Sequence, residues 1–223
     1  MKLKLIKKQY ETGNIWSFFF EPLDRIEWRA GQYLNLTMPD VPPVFSDRLF
    51  TISSAPHEKS VRITTFIGKS PYKQKLELLA LGTEVEADQI GGDFYWLDEP
   101  EKKLYLAGGL GITPFRSIIV DRFYTSLPQG TVLMWSGRPE QCPFDEELTA
   151  IAARSKDISI HRYEVRLSPE RIIEEVPDIA ERLIYLAGSQ LFVETLGEGL
   201  MAYGIPRSQI KYDWFDGYTG TLV

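Results

Sequence analysis

The feature that most constrains this chain is a change of sequence pattern close to residue 100. Before it, six short runs rich in β-branched and aromatic residues, from KLKLI to TEVEADQI, are separated by turn-forming residues such as Pro42-Pro43. Such a pattern is typical of an antiparallel barrel or sandwich. One helix, from Pro71 to about Ala80, is predicted to interrupt the strands. We therefore expect an antiparallel β-barrel domain over residues 1–98.

After Glu99-Pro100 the chain alternates between predicted strands and predicted helices. The strand-like runs extend from KLYLAGG to QIKYDWF, and helical stretches such as PFRSIIVDRFYT lie between them. Strict alternation of strand and helix indicates right-handed βαβ units and a parallel, doubly wound sheet. We predict a second, α/β domain over residues 99–223, and the total length is sufficient for two hydrophobic cores.

Charge, cysteine content and hydropathy exclude several classes of function. The net charge of −6 argues against a protein that binds nucleic acid through its phosphates. Cys142 is the only cysteine, which excludes an intrachain disulfide or a cluster held by four thiolates. The two histidines lack the spacing of metal ligands, so no metal site is predicted. The sequence shows neither an apolar signal region nor a membrane span, and we expect a cytoplasmic protein.

One helix start in the second domain has the composition of a phosphate site. The strand KLYLA runs into Gly108-Gly109-Leu110-Gly111, and we expect Thr113 to cap the next helix with Pro114 at its first position. The amide groups and the positive dipole end of a helix start favour an anion. Glycines in such a turn also serve tight packing of helix on strand, so the motif alone leaves both interpretations open.

Two further helix starts repeat this arrangement. In the first domain, Ser70 and Pro71 are predicted to begin a helix around which Lys69, Lys73 and Lys75 cluster, an unfavourable arrangement unless an anion binds or the lysines are simply solvated. In the second domain, Ala187-Gly188-Ser189 follows the strand RLIYL. We expect that strand to neighbour the strand KLYLA, so that both glycine turns lie at one edge of the sheet.

Taken in order, these motifs resemble the ferredoxin–NADP reductase superfamily of two-domain flavin reductases. The resemblance covers nearly the whole chain and rests on motifs that share their order and spacing with that family. They are Gly31-Gln32-Tyr33, Arg48-Leu49-Phe50-Thr51 in place of Arg-x-Tyr-(Ser/Thr), LGTEVEADQIGG, GGLGITPFRSII, and the terminal stretch 210–218.

The resemblance implies bound FAD and NAD(P)H and a role for each motif. Arg48 would neutralise the flavin diphosphate, Phe50 would lie against the isoalloxazine ring, and Thr51 would hydrogen-bond to flavin N5. The implied FAD-binding residues are Arg48, Leu49, Phe50, Thr51, Ser70, Tyr72 and Lys73; the implied nucleotide-binding residues are Gly109, Gly111, Thr113, Pro114, Arg138, Gly188 and Ser189; the implied catalytic residues are Thr51, Asp213 and Phe215.

Three positions depart from the family pattern. Phe50 replaces the usual tyrosine, Lys73 replaces a frequent serine, and Ala187 replaces a cysteine that lies close to the nicotinamide in relatives. The leading hypothesis is an oxidoreductase that transfers hydride from NAD(P)H to flavin N5 and then electrons to an external acceptor, either a protein or a small molecule. The missing thiol keeps open a non-catalytic flavin- and nucleotide-binding subunit or redox sensor. A Rossmann-type transferase with a β appendage is a third alternative, and the sequence leaves the choice between NADH and NADPH open.

Overall fold

The computed structural model describes residues 1–127 and 130–214. Phe215, which the resemblance implies to be catalytic, lies outside the described residues. The first domain contains a six-stranded antiparallel sheet and one α-helix, as predicted. Its elements are β1 (Lys2–Thr12), β2 (Ile15–Pro22), β3 (Tyr33–Thr37), β4 (Asp47–Thr51), β5 (Val61–Phe66), α1 (Pro71–Leu78) and β6 (Glu84–Gly91).

The strand order of this first sheet is β4-β3-β6-β1-β2-β5. The sheet is barrel-like but is not closed by hydrogen bonding, because β4 and β5 are its two edges. Alternate residues of β1, such as Leu3 and Leu5, point into a core that Tyr72 and Leu76 of α1 cover from one side. Period-two alternation of buried and exposed residues is what places one face of each strand in such a core.

The second domain is a five-stranded parallel sheet with the order β11-β10-β7-β8-β9. Its two faces are both covered, because Tyr105 packs with α2 and α3 whereas Leu104 and Leu106 pack with α4 and α5. The doubly wound sheet predicted from the alternating pattern is confirmed. Its elements are β7 (Lys103–Gly108), α2 (Ile112–Tyr124), β8 (Thr131–Ser136), α3 (Asp145–Arg154), β9 (Ile158–Tyr163), α4 (Pro169–Glu175), β10 (Leu183–Gly188), α5 (Gln190–Ala202) and β11 (Ile210–Trp214).

The position of β7 beside β10 determines where this sheet can bind a ligand. The chain proceeds from β7 to β8 and β9 on one side and then returns to β10 and β11 on the other, so the winding reverses between β7 and β10. Open α/β sheets bind ligands outside the carboxyl ends of the strands at this reversal. The predicted domain boundary at residues 98 and 99 lies between β6 and β7.

No helix within the two described ranges is long and apolar enough to cross a membrane.

Candidate functional site

In the first domain, the predicted flavin-binding residues lie on edge strand β4 and at the start of α1. Phe50 and Thr51 are buried at the end of β4, whereas Arg48 and Leu49 are exposed. The Phe50 ring lies 5.8 Å from the Tyr72 ring, and the Arg48 guanidinium lies 5.7 Å from the Tyr72 ring centroid. Tyr72 itself is fully buried in the core, and its hydroxyl donates to the Leu36 carbonyl at 2.8 Å. The structure thus brings the β4 motif and the helix start together.

The start of α1 has the predicted cap. The Ser70 hydroxyl accepts a hydrogen bond from the Lys73 amide at 3.3 Å, and Pro71 occupies the first helical position. The three lysines differ in their environments. Lys75 pairs with Asp40 at 3.0 Å, Lys69 is exposed, and the Lys73 ammonium donates to the Thr65 hydroxyl while lying 4.5 Å from the Phe50 ring centroid.

Arg48 and Lys73 form a pair of cations without counterions. Among the described residues, no carboxylate oxygen lies within 4 Å of either group. Burial, and then the charge of Arg48, lower the pKa of Lys73 to about 7. A bound anion would relieve both effects, because an opposite charge favours the protonated ammonium. These residues therefore fit the diphosphate of FAD.

In the second domain, the glycine turn after β7 differs from the prediction in its details. A 3₁₀ turn, Gly109–Gly111, leads directly into α2 at Ile112, so Thr113 is not the cap and Pro114 is not the first helical residue. The Thr113 hydroxyl instead donates to the Leu110 carbonyl at 2.9 Å. The helix therefore begins two residues earlier than predicted, and no side chain caps it.

The glycines of this turn have different roles. Gly109 has a φ of +51°, and a Cβ placed there would have no atom within 4 Å, so its surface is open to a ligand. At Gly111 a Cβ would lie 2.0 Å from the Ala187 carbonyl oxygen. Gly111 therefore allows α2 to pack against the end of β10, whereas Gly109 is the position at which a pyrophosphate could approach the backbone.

The third predicted helix start lies directly beside this turn. Ser189 caps α5 by accepting the Phe192 amide at 3.3 Å. The Phe192 ring covers both neighbouring strand ends, because a Cβ on either Gly108 or Gly188 would lie 2.9 Å from it. Sequence reasoning missed Phe192, although an aromatic residue three positions after a helix cap is a signal that could have drawn attention to it.

Asp213 and Ala187 occupy paired positions on β11 and β10. Burial, with a further contribution from Asp93, raises the pKa of Asp213 to about 7. Ala187 is fully buried and belongs to the apolar core. Arg138 is exposed after β8, 3.7 Å from the Glu140 carboxylate. Within the described part of the chain, no group of three or more His, Cys, Asp or Glu side chains is arranged to hold a metal ion.

Curated relatives align with almost the whole chain. Oxidoreductase NdmD of Pseudomonas putida is 23% identical over 226 residues, which cover 95% of this chain and 36% of that protein. The glycine betaine monooxygenase reductase subunit of Pseudomonas aeruginosa is 28% identical over 235 residues, 96% of this chain and 63% of the relative. A probable flavin reductase of Vibrio harveyi is 27% identical over 203 residues, 82% of this chain and 84% of the relative. No protein-family profile matches the chain.

Solved structures share the two-domain architecture. The Amycolatopsis cytochrome P450 reductase GcoB superimposes with a TM-score of 0.82 at 16% identity over 96% of this chain and 70% of that one. Ferredoxin-NADP+ reductase from Plasmodium falciparum superimposes with a TM-score of 0.79 at 12% identity, over 96% of this chain and 95% of that one. This chain spans 36% and 58% of the first two curated relatives, NdmD and a Pseudomonas aeruginosa flavohemoprotein. Motif order, sequence relatives and fold agree, and the chain is similar to the ferredoxin–NADP reductase superfamily.

Proposed function

We propose that the protein is an FAD-dependent oxidoreductase that takes hydride from NAD(P)H at flavin N5 and passes electrons to an external acceptor. The observation that carries the proposal is the pair Arg48 and Lys73, two cations with no carboxylate within 4 Å among the described residues, beside Phe50 and Thr51. When bound, FAD supplies the hydride-accepting ring and the capacity to pass on single electrons or pairs. The chain supplies binding, orientation and exclusion of water.

Each side chain has a defined part in this proposal. Arg48 and Lys73 would neutralise the diphosphate, and the Phe50 ring would provide an apolar surface for the flavin. The Thr51 hydroxyl would hydrogen-bond to N5. On the nucleotide side, the open backbone at Gly109 would receive the pyrophosphate, and Gly188 and Ser189 would approach the nicotinamide.

Asp213, near the end of β11, belongs to the proposed machinery, and the role of Phe215 stays a prediction from the resemblance. With a pKa raised to about 7, Asp213 can hold or release a proton near neutral pH, as a group that accompanies hydride transfer would need to do. Arg138 would contact the adenosine side of the nucleotide. Arg138 lies 3.7 Å from the Glu140 carboxylate. The choice between NADH and NADPH is tested by using each nucleotide separately.

The electron acceptor is proposed to be a separate molecule. Two relatives are named as a reductase subunit and a ferredoxin reductase component, respectively, of a monooxygenase, and the chain covers 63% of each of them. An unidentified redox protein or small molecule is the acceptor that this resemblance supports, and neither a nucleic-acid partner nor a membrane span is expected from the sequence. A cytoplasmic location remains a prediction from the sequence.

The deciding experiment is anaerobic mixing of the flavin-loaded protein with NADH and, separately, with NADPH. We expect the visible absorbance of oxidised flavin in the purified or reconstituted protein and its loss within seconds with at least one nucleotide. Flavin that binds but is not reduced would support the redox sensor instead, the alternative favoured by the absence of a thiol at Ala187. A protein that takes up no flavin would overturn both hypotheses.

A further inference from the structure

The inference concerns Arg116, a buried residue of α2 to which the sequence motifs assign no role. Its side chain is 2% exposed, and all five of its N–H groups are engaged. Two of them bind the Glu58 carboxylate, one of these at 2.9 Å, and two bind the Glu147 carboxylate at 3.0 and 2.5 Å. The fifth contact is to the Ser53 carbonyl at 2.9 Å. Arg116 therefore has no donor left for a ligand.

The partners of Arg116 lie in both domains. Ser53 and Glu58 belong to the segment that follows β4, whereas Glu147 lies on α3. Ser53 is two residues after Thr51, and Arg116 is one helical turn after Ile112, the first residue of α2. One guanidinium thus connects the end of β4, which we call the flavin strand, to the beginning of α2, which we call the nucleotide-binding helix.

Neighbouring hydrogen bonds reinforce this connection. The Glu58 carboxylate also accepts the Ala55 amide at 2.7 Å, which fixes the turn between Ser53 and Glu58. On the next residue of α2, the Ser117 hydroxyl donates to the Ser54 carbonyl at 2.7 Å. Because β4 and α2 are themselves regular elements, contacts so close to their ends determine the separation between the two candidate cofactor sites.

The charges around Arg116 alternate across the domain boundary. Arg62 of β5 pairs with Glu11 at 2.6 Å and lies 3.9 Å from Glu147, which in turn binds Arg116. Burial opposes ionisation of Glu58, but the hydrogen bond and charge of Arg116 outweigh it, and the net pKa of Glu58 is lowered. The Arg116–Glu58 pair therefore stays charged throughout the neutral pH range.

The domains have a second, apolar contact that does not depend on Arg116. Ala30, Ala55 and Phe94 pack in the same core as Phe115 and Ile118 of α2. Loss of the guanidinium should consequently leave the domains associated while the segment 53–58 and α2 lose their fixed alignment. Hydride transfer is sensitive to such alignment, since a misplacement of about 1 Å can cost on the order of 100-fold in rate.

We propose that Arg116 is a positioning residue that holds the flavin strand and the nucleotide-binding helix at the separation that hydride transfer requires. This inference rests on the proposed function. Arg116 touches neither cofactor site directly and acts through Ser53 and Glu58 on one side and through the start of α2 on the other. Its loss is expected to slow hydride transfer without a matching loss of cofactor affinity.

Arg182 provides a matched control for the test. It is also largely buried, with 11% of its side chain exposed, and it binds the Asp178 carboxylate at 2.7 and 3.0 Å. It donates to the carbonyls of Lys103 and Gly130 at 3.0 and 2.9 Å, so all these partners lie in the second domain. Removal of Arg182 should destabilise the protein without affecting the alignment between domains.

The experiment compares Arg116→Gln and Arg116→Lys with Arg182→Gln. For Arg116→Gln we expect the limiting rate of flavin reduction to fall about 10- to 100-fold, while the Kd values for flavin and nucleotide change less than about threefold. Arg116→Lys keeps the charge but not the two-carboxylate geometry, so its rate of flavin reduction should lie between those of the wild type and Arg116→Gln. It replaces Arg116→Gln in the comparison if that variant does not fold. Arg182→Gln should keep the wild-type rate. Equal rate losses in Arg116→Gln and Arg182→Gln would overturn the proposal.

A second measurement needs neither cofactor nor turnover. Amide hydrogen exchange of the cofactor-free protein should be faster in segment 53–58 of Arg116→Gln than in the wild type, and unchanged there in Arg182→Gln. Unchanged exchange in Arg116→Gln would refute the positioning role. If the wild-type flavin is not reduced by either nucleotide, the proposed function fails instead, and the exchange result still decides whether Arg116 fixes the two segments.

Discussion

At the start of α1 the first domain presents charged side chains, whereas at the start of α2 the second domain presents bare backbone. Arg48 and Lys73 surround the first helix start, and Ser70 caps it. The second start, residues 109–114, contains no ionisable residue and has its open surface at Gly109. The first arrangement suits a cofactor that stays bound, and the second suits one that must bind and leave in every cycle. The two sites should therefore respond differently to substitution.

The largest effect is expected from Gly111→Ala. A Cβ at this position would lie 2.0 Å from the Ala187 carbonyl oxygen, so the turn and β10 must move apart. We expect a loss of roughly 2–4 kcal/mol in the free energy of unfolding, the range of severe packing defects. Gly109→Ala meets no atom and should cost only about 1 kcal/mol for its left-handed backbone. Denaturant unfolding measures both, and equal losses would contradict the separate roles of the two glycines.

The next largest effect is expected from Arg48→Ala. Loss of a charged hydrogen-bond partner of the diphosphate should weaken FAD binding by about 1.5–3 kcal/mol, measured by flavin titration. Lys75→Ala is the control, because Lys75 already pairs with Asp40, and its loss should change FAD affinity by less than about 0.5 kcal/mol. Similar losses in both variants would show that the first site depends on general positive charge.

A pH-dependent effect is expected at Asp213, on the second domain's side of the comparison. Its pKa is raised to about 7 in the folded protein from an ordinary value of 3.8, so the folded state favours the protonated carboxyl. Wild-type stability should therefore fall relative to Asp213→Asn as the pH rises from about 4 to about 7. We expect the variant to be more stable by about 1–2 kcal/mol at pH 8, less than the roughly 4 kcal/mol that the full pKa difference corresponds to because solvent screens the partly exposed carboxyl, and equal to the wild type near pH 3, in thermal unfolding at each pH. A pH-independent difference would contradict the raised pKa.

The smallest effect is expected at the helix cap of the first site. Ser70→Ala removes the acceptor for the Lys73 amide and should cost about 1 kcal/mol in unfolding free energy. Ser189→Ala removes the corresponding cap of α5 and should cost a similar amount. FAD affinity separates the two variants, because only Ser70→Ala loosens the helix that carries Lys73. Equal FAD affinity in both would show that the cap does not influence the flavin site.

Local patterns in the sequence determined most of the secondary structure and two of the three helix starts. The alternation of strands and helices gave the doubly wound sheet, and Ser70 and Ser189 cap the helices that follow them, as expected. These features depend on residues a few positions apart, which is the range over which capping and periodicity operate. The prediction failed at Thr113, because a 3₁₀ turn without a side-chain cap left no signal of the kind that serine gave elsewhere.

Only the tertiary structure decided how the two sites are held together. Gly111 is needed because a side chain there would clash with the Ala187 carbonyl. Ala187 belongs to β10, which lies next to β7 only in the folded sheet. Arg116 meets Ser53, Glu58 and Glu147 at separations of 63, 58 and 31 residues along the chain. No periodicity or capping rule reaches over such distances, because the contacts form only after both domains have packed. The sequence by itself determined which elements form and where anions could bind, whereas long-range packing decided how far apart those places lie.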